Sequence, residues 1–192
     1  LGSAFSYVGM AIWAHSMASY DFTRGASRLM SVCIHYHAEA YSTKGERLMG
    51  RNAAGESFLK GFFLHSKQAD SIWVHNEDQE EIKNFTELAR SFNRSEEITS
   101  VNRRKYARLK DASMFYTPGP ELSPLAWRRR FFGDDAWSIC GVTHTTASAA
   151  AMDCIVDLVS SPVRPWDGLI CPSSAVKSHA LNIIEAQSEY LK

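Results

Sequence analysis

Short apolar runs that alternate with amphipathic segments constrain the fold of this chain more than any other feature. The runs are residues 31–37 (SVCIHYH), 71–75 (SIWVH), 113–117 (SMFYT), 137–142 (WSICGV) and 167–171 (DGLIC). Nearly continuous apolar runs of this length are typical of strands that are covered on both faces. Strands that alternate with helices indicate βαβ units. We therefore predict an α/β fold, Rossmann-like and three-layered (α/β/α), with a mainly parallel sheet.

The segments between these runs carry the period of helices. Helices are predicted at residues 53–66, 76–92, 121–133 and 146–160, and from Ser173 or Ser174 toward Lys192. Asn76, with Gln79 three residues later, is the predicted cap of the second helix. Residues 96–111 are compatible with a short strand or with a basic helix.

Composition places the chain among ordinary globular domains. It has 192 residues, of which 45% are hydrophobic and 22% charged, and its 21 basic residues balance its 21 acidic ones. This length suffices for one domain with a sizeable core. The balanced charge gives no reason to expect a nucleic-acid partner. Two basic clusters, residues 103–110 and 128–130, are interpreted as a solvated helix face and a helix end; the alternative is a nucleic-acid-binding surface.

The cysteines and the apolar runs bear on the setting of the protein. Cys33, Cys140, Cys154 and Cys171 show no C-x-x-C spacing, which argues against a zinc site and favours a reducing compartment. No apolar run has the length that spans a bilayer, and we expect a cytoplasmic protein. Residues 1–29 have no clear helical or strand period and are predicted to lie outside the domain proper, which covers residues 30–192.

Several chemistries lack their motif in this sequence. There is no G-x-G-x-x-G, no G-x-x-x-x-G-K-[ST] and no G-x-S-x-G, which disfavours a nicotinamide dehydrogenase, a P-loop enzyme and an α/β-hydrolase. His35 and His37 share one face of the first predicted strand. Because no third ligand is visible beside them, no metal site is predicted.

A glycine-bearing loop at residues 42–58 is the first candidate site. It follows a predicted strand, leads into a helix and carries Gly50, Arg51, Asn52 and Gly55. Free amides at the start of a helix attract phosphate, and glycine lets a ligand approach the backbone. The alternative is a flexible connection in which the glycines serve turns.

The second candidate is a corner after a central strand, where His144 stands between Thr143 and Thr145. Ligands of parallel sheets bind beyond the carboxyl ends of the strands. An imidazole at that place can donate a hydrogen bond to a substrate oxygen or stabilise charge that develops on a sugar. The alternative is that Thr143 or Thr145 caps the next helix and that His144 has no role in binding.

Two blocks and their order resemble a known family. The blocks SVCIHYH…LMGRNAAGESFLKGFFLHS and WSICGVTHTTASAAAMDCIVDLVSSPVRPWDGLICPSSAVK are similar to the N-terminal half of bacterial glycosyltransferases of family 4, and the likeness covers residues 30–192. These are retaining enzymes of the GT-B fold, in which two Rossmann-like domains face each other across a cleft. The resemblance implies an acceptor-side domain here and a second domain that holds the nucleotide sugar.

The resemblance also implies roles for single residues. His144 would lie at the reaction centre, and the stretch from Gly50 to Gly55 would approach the donor diphosphate. His37, Thr143, Thr145 and Ser173 would line the acceptor cleft. The implied co-substrate is a nucleotide sugar without any further cofactor or metal, and peripheral membrane contact is implied only for the full enzyme. The alternative is a stand-alone, flavodoxin-like binding module without catalysis.

Overall fold

The computed structural model describes residues 11–13, 31–44, 50–67 and 71–192. Within these ranges one seven-stranded sheet has the order β1-β7-β6-β5-β2-β3-β4, and every neighbouring pair is parallel. The strands are β1 (Ala11–Trp13), β2 (Val32–His35), β3 (Ser71–His75), β4 (Glu97–Val101), β5 (Met114–Tyr116), β6 (Ser138–Val142) and β7 (Gly168–Ile170). The predicted parallel sheet is confirmed.

Six α-helices connect the described strands. They are α1 (Gly50–His65), α2 (Gln79–Ser91), α3 (Leu109–Ala112), α4 (Leu122–Arg129), α5 (Ala149–Val156) and α6 (Ser174–Tyr190). Short 3-10 turns lie at Ala38–Tyr41, Arg103–Arg108 and Asp157–Val159. Residues 96–111 therefore contain both of the structures that the sequence left open, since β4 is followed by a basic helical segment. None of the helices in the described ranges has both the length and the apolar character needed to cross a membrane.

Two hydrophobic cores lie on opposite faces of the sheet, because neighbouring residues of a strand point to opposite sides. Cys33 and Phe115 belong to the core that packs against α4, α5 and α6. Ile34 and Tyr116 belong to the core that packs against α1 and α2. This arrangement confirms the three-layer α/β/α fold.

Successive strands are added first on one side of β2 and then on the other, which makes β2 the reversal point of the sheet. From β2 the chain proceeds outward through β3 to β4, then returns to place β5 on the other side of β2, and continues to β6 and β7. This is the order of a Rossmann fold, and it opens a crevice at the carboxyl ends of β2 and β5. The strand order fixes where a ligand site is expected.

The predicted cap of the second helix is wrong, and so is the alternative in which Thr143 or Thr145 caps the helix after β6. Asp78, rather than Asn76, caps α2, because its Oδ1 accepts a hydrogen bond from the backbone N–H of Glu80 at 2.9 Å. Asn76 instead accepts from the N–H of Asp78 and so shapes the turn that precedes the helix. Ser148 caps α5 by accepting from the N–H of Ala151, which removes the capping alternative for Thr143 and Thr145.

The interpretation of residues 128–130 as a solvated cluster is wrong for Arg129, which has no exposed surface. Its guanidinium forms two hydrogen bonds with the carboxylate of Asp167, at 2.5 and 2.7 Å, and a third with the carbonyl of Trp137. Asp167 also accepts from the N–H groups of Ile139 and Arg164. Burial of the arginine is possible because this carboxylate is buried with it and neutralises its charge.

The predicted boundary near Met30 falls in a stretch that is described only in part. Ala11–Trp13 form β1, which pairs with β7 in parallel register at an edge of the sheet. The remainder of residues 1–29 lies outside the described residues. The prediction that residues 1–29 lie outside the domain is wrong for the three residues of β1, which belong to the sheet. For the others it stays a prediction.

Candidate functional site

A cleft of about 490 Å³ lies at the reversal point of the sheet. The histidine and charged side chains of its lining are His35, His37, Glu39, Arg51, Glu121 and His144. These residues follow or end β2, β5 and β6, apart from Arg51, which comes from the first turn of α1. The cleft therefore occupies the crevice that the strand order predicts.

A proline-rich loop after β5 forms one wall of the cleft. Residues 117–121 line it, together with Pro124 and Leu125 of α4. The loop is drawn against β6, since the N–H of Val142 donates to the carbonyl oxygen of Gly119 at 3.1 Å. Gly141 makes this possible, because a Cβ there would lie 2.5 Å from that oxygen. The sequence signal for this wall is the Pro-Gly-Pro that follows a strand, and our predicted site residues do not include it.

His144 is half-buried and lies in the cleft. Burial lowers its pKa, the positive charge of Arg51 lowers it further, and a hydrogen bond to the backbone of Pro118 opposes both. The imidazole is therefore neutral at pH 7, with one nitrogen that donates and one that accepts. This is the state that hydrogen-bonds to a hydroxyl group.

The two threonines beside His144 differ in position. Thr143 is fully buried beneath the cleft, and its Oγ1 donates to the carbonyl of Thr145 at 2.9 Å. Thr145 lines the cleft, and its Oγ1 accepts from the N–H of Ala147. Thr143 thus holds the corner in shape, whereas Thr145 is placed to meet a ligand.

The prediction of a loop over residues 50–55 is wrong, because α1 begins at Gly50. Gly55 lies in the second turn, where a Cβ would stand 2.0 Å from the carbonyl oxygen of Ala40. Asn52 is buried, and its Nδ2 donates to the carbonyl of Glu39 at 2.5 Å. Both residues attach α1 to the 3-10 turn at Ala38–Tyr41, and neither lines the cleft.

Arg51 alone among these four helix residues lines the cleft. Its Nη2 lies 3.4 Å from Oε1 of Glu39, and both side chains are largely exposed, at 54% and 78%. An exposed ion pair of this length contributes little to stability. The guanidinium can therefore turn to an anionic or hydroxyl ligand at small cost.

Of the two remaining predicted cleft residues, one lines the cleft and the other does not. His37 lines the cleft beside His35. Ser173 caps α6, as predicted, by accepting from the N–H of Val176 at 3.2 Å, and it lies outside the lining. The structure thus brings together His37, Arg51, His144 and Thr145.

A pair of histidines at the floor of the cleft was not among our predicted site residues. His35 ends β2 and His75 ends β3, and their Nδ1 atoms are 3.0 Å apart. His75 is 7% exposed, and its Nε2 has no hydrogen-bond partner among the residues that the structure describes. Burial lowers its pKa to about 3, helped by His35, Arg128 and Arg103. Burial also lowers the pKa of His35.

No cluster of three or more metal-binding side chains occurs in the described part of the chain. Cys33 and Cys171 are buried, Cys140 and Cys154 are half-buried, and all four are free thiols. The side chains that line the cleft offer imidazoles, carboxylates, hydroxyls and one guanidinium.

Comparison with known proteins adds no further constraint. No protein-family model, no curated protein and no solved structure matches the chain.

Proposed function

We propose that the chain is the acceptor-side domain of a retaining glycosyltransferase of the GT-B fold, which moves a sugar from a nucleotide-sugar donor to an acceptor hydroxyl. One observation carries the proposal: a neutral, half-buried His144 stands in a cleft at the reversal point of a Rossmann-like sheet. Ligands of such sheets bind at that point.

The lining of the cleft suits a neutral, hydroxyl-rich ligand. Glu39 and Glu121 can accept hydrogen bonds from hydroxyl groups, and His144 can donate or accept. Pro120 and Leu125 offer apolar surface to the C–H faces of a sugar ring. Apolar walls with a few convergent polar groups are typical of small-molecule sites.

The charge of the lining supports the acceptor role over the donor role. Among the described residues that line the cleft, Arg51 is the one side chain that is positive at neutral pH, against the two carboxylates of Glu39 and Glu121. A nucleotide diphosphate carries at least two negative charges and needs cationic or amide partners. In the proposed enzyme the second domain supplies them, and Arg51 approaches the diphosphate from this side.

The alternative, a binding module without catalysis, predicts a closed and polar surface beyond the strand ends. The partly apolar cleft favours the transferase instead. The order of the strands also differs from the flavodoxin-like order 2-1-3-4-5.

A binding experiment with this chain tests the proposal. The probes are methyl hexosides and disaccharides at millimolar concentration, and UDP- and GDP-sugars, each followed by amide shifts in NMR spectra. We expect neutral saccharides to shift the signals of Thr145 and Arg51, no turnover of any nucleotide sugar, and about tenfold weaker saccharide binding in His144→Ala. His179→Ala, an exposed histidine of α6, is the matched control.

Two outcomes would contradict the proposal. Robust sugar transfer by this chain alone would refute the two-domain account. Binding of nucleotide sugars at the cleft with no response to any neutral saccharide would refute the acceptor role.

A further inference from the structure

The histidine pair below the cleft is the feature that the proposed function leaves unexplained. β2 and β3 are in register, so that His35 stands directly opposite His75. His35 Nδ1 faces two atoms of its neighbour: Nδ1 of His75 at 3.0 Å and the carbonyl oxygen of His75 at 3.4 Å. Both contacts are made by the same nitrogen of His35.

These two contacts decide which nitrogen of His35 carries the proton. One Nδ1 must donate and the other accept when both rings are neutral. The carbonyl of His75 can only accept. A hydrogen on Nδ1 of His35 therefore serves both contacts. A hydrogen on Nδ1 of His75 would instead set the lone pair of His35 against that carbonyl, whose remaining partner is the N–H of Tyr36 at 3.2 Å.

With its proton on Nδ1, His35 has a bare lone pair on Nε2. This nitrogen lies on the far side of the ring from His75, and the ring itself lines the cleft. The ring of Phe115 stacks on that of His35, with centroids 6.1 Å apart and planes at 24°. The hydrogen bonds and the stacking together hold the imidazole in one orientation.

The pair carries a cost that packing alone does not explain. In this arrangement His75 accepts through Nδ1, and its buried Nε2–H has no hydrogen-bond acceptor among the described residues, its ring meeting those of Tyr106 and Phe115 edge-on. An unsatisfied buried donor opposes folding. Local rules are broken in this way at functional sites, where the strain is retained for the geometry it secures.

We propose that His35 is the hydrogen-bond acceptor of the cleft, and that its Nε2 accepts a hydrogen bond from a hydroxyl group of the ligand. His75 is the positioning residue that fixes the tautomer of His35. The inference rests on the proposed function only in that the ligand bears a hydroxyl. It adds to His144 a second imidazole, one whose role is set in advance by its neighbour.

The tautomer is measured directly by long-range ¹H–¹⁵N NMR on the ¹⁵N-histidine-labelled chain without ligand. We expect a protonated-type shift for Nδ1 of His35 and an unprotonated-type shift for Nε2 at neutral pH. His75→Asn places an amide oxygen near the former Nδ1 position and should preserve this tautomer. His75→Leu removes the 3.0 Å acceptor and should shift His35 toward the Nε2–H form. A protonated Nε2 on His35 in the wild-type chain would overturn the inference, whether or not either variant folds.

The ligand side of the inference has its own measurement. For a saccharide that binds in the panel described above, His35→Phe should weaken binding at least tenfold and His75→Asn less than threefold. Unchanged affinity in His35→Phe would refute the acceptor role of His35. If no saccharide binds while the tautomer is as expected, the proposed function fails and the His75-fixed tautomer stands, so that the two failures are distinguishable.

Discussion

Acidification should destabilise this fold through His75 before most carboxylates titrate. Burial lowers the pKa of His75 to about 3, from 6.5 for a solvated histidine. Between about pH 3 and pH 6.5 the unfolded chain therefore binds a proton at His75, whereas this imidazole stays neutral in the folded chain. Stability that is fully present above about pH 6.5 is lost as the pH falls toward 3.

The size of the effect follows from the two pKa values. Each pH unit below 6.5 costs about 1.4 kcal/mol until the pKa of the folded state is reached. Between about pH 7.5 and pH 5, His75 alone should remove about 2 kcal/mol from the free energy of unfolding. The side chain is 7% exposed, so solvent screening takes little from this figure. His35, whose pKa is also lowered, adds to the loss.

The assay is urea unfolding of the chain at pH values from 5 to 7.5, followed by circular dichroism. His75→Asn is the comparison, because it removes the titrating ring and keeps every carboxylate. The wild type should lose about 2 kcal/mol more than the variant over this range. If the two stability profiles run parallel, His75 is not a buried neutral imidazole and the account of the pair is refuted.

Three further predictions concern the packing around the site. Gly55→Ala should destabilise the fold by about 1–3 kcal/mol, because the new Cβ clashes with the Ala40 carbonyl. Gly61→Ala should stabilise the same helix by about 0.5–1 kcal/mol, because a Cβ there meets nothing within 4 Å. Thermal melts of the two variants measure both effects. Asp167→Asn should cost about 3–5 kcal/mol because Arg129 is left buried without a counter-charge, and a loss near zero in urea unfolding would show that the pair is solvated. Ser148→Ala should cost about 1 kcal/mol as the lost cap of α5, measured in the same way.

The fold could be predicted from the sequence because its signal is local and repeated. Five of the seven described strands, β2, β3, β5, β6 and β7, coincide with short apolar runs of the sequence, whereas β1 and β4 do not. The right-handed crossover rule leaves few ways to join parallel strands. The position of the cleft followed from the same rule, since it depends on strand order and not on any one side chain. Of the site residues named from the sequence, His37, Arg51, His144 and Thr145 line the cleft. The lining does not include Gly50, Asn52, Gly55, Thr143 or Ser173.

The details that sequence reasoning missed depend on residues far apart in the chain. Three consecutive arginines look like a solvated helix end, and only the fold brings Asp167 to Arg129, 38 positions away. The His35–His75 contact depends on the register of two strands whose histidines are 40 positions apart. Gly55 fell within both the predicted loop at residues 42–58 and the predicted helix at residues 53–66. The reason for a glycine there is its contact with the Ala40 carbonyl, which leaves no room for a Cβ and which the sequence does not reveal.

Removal of both histidines from the pair should separate stability from function. His75→Leu alone leaves Nδ1 of His35 with the long carbonyl contact only. The double variant His35→Leu, His75→Leu removes both rings and the orphaned Nε2 together. Replacing both members of a buried polar pair by apolar groups of similar size is close to neutral or stabilising. We therefore expect the double variant to be at least as stable as the wild type at neutral pH in urea unfolding, and to have lost saccharide binding at the cleft. A loss of more than about 2 kcal/mol would instead show that the pair stabilises the fold, and the argument that it is retained for binding would fail.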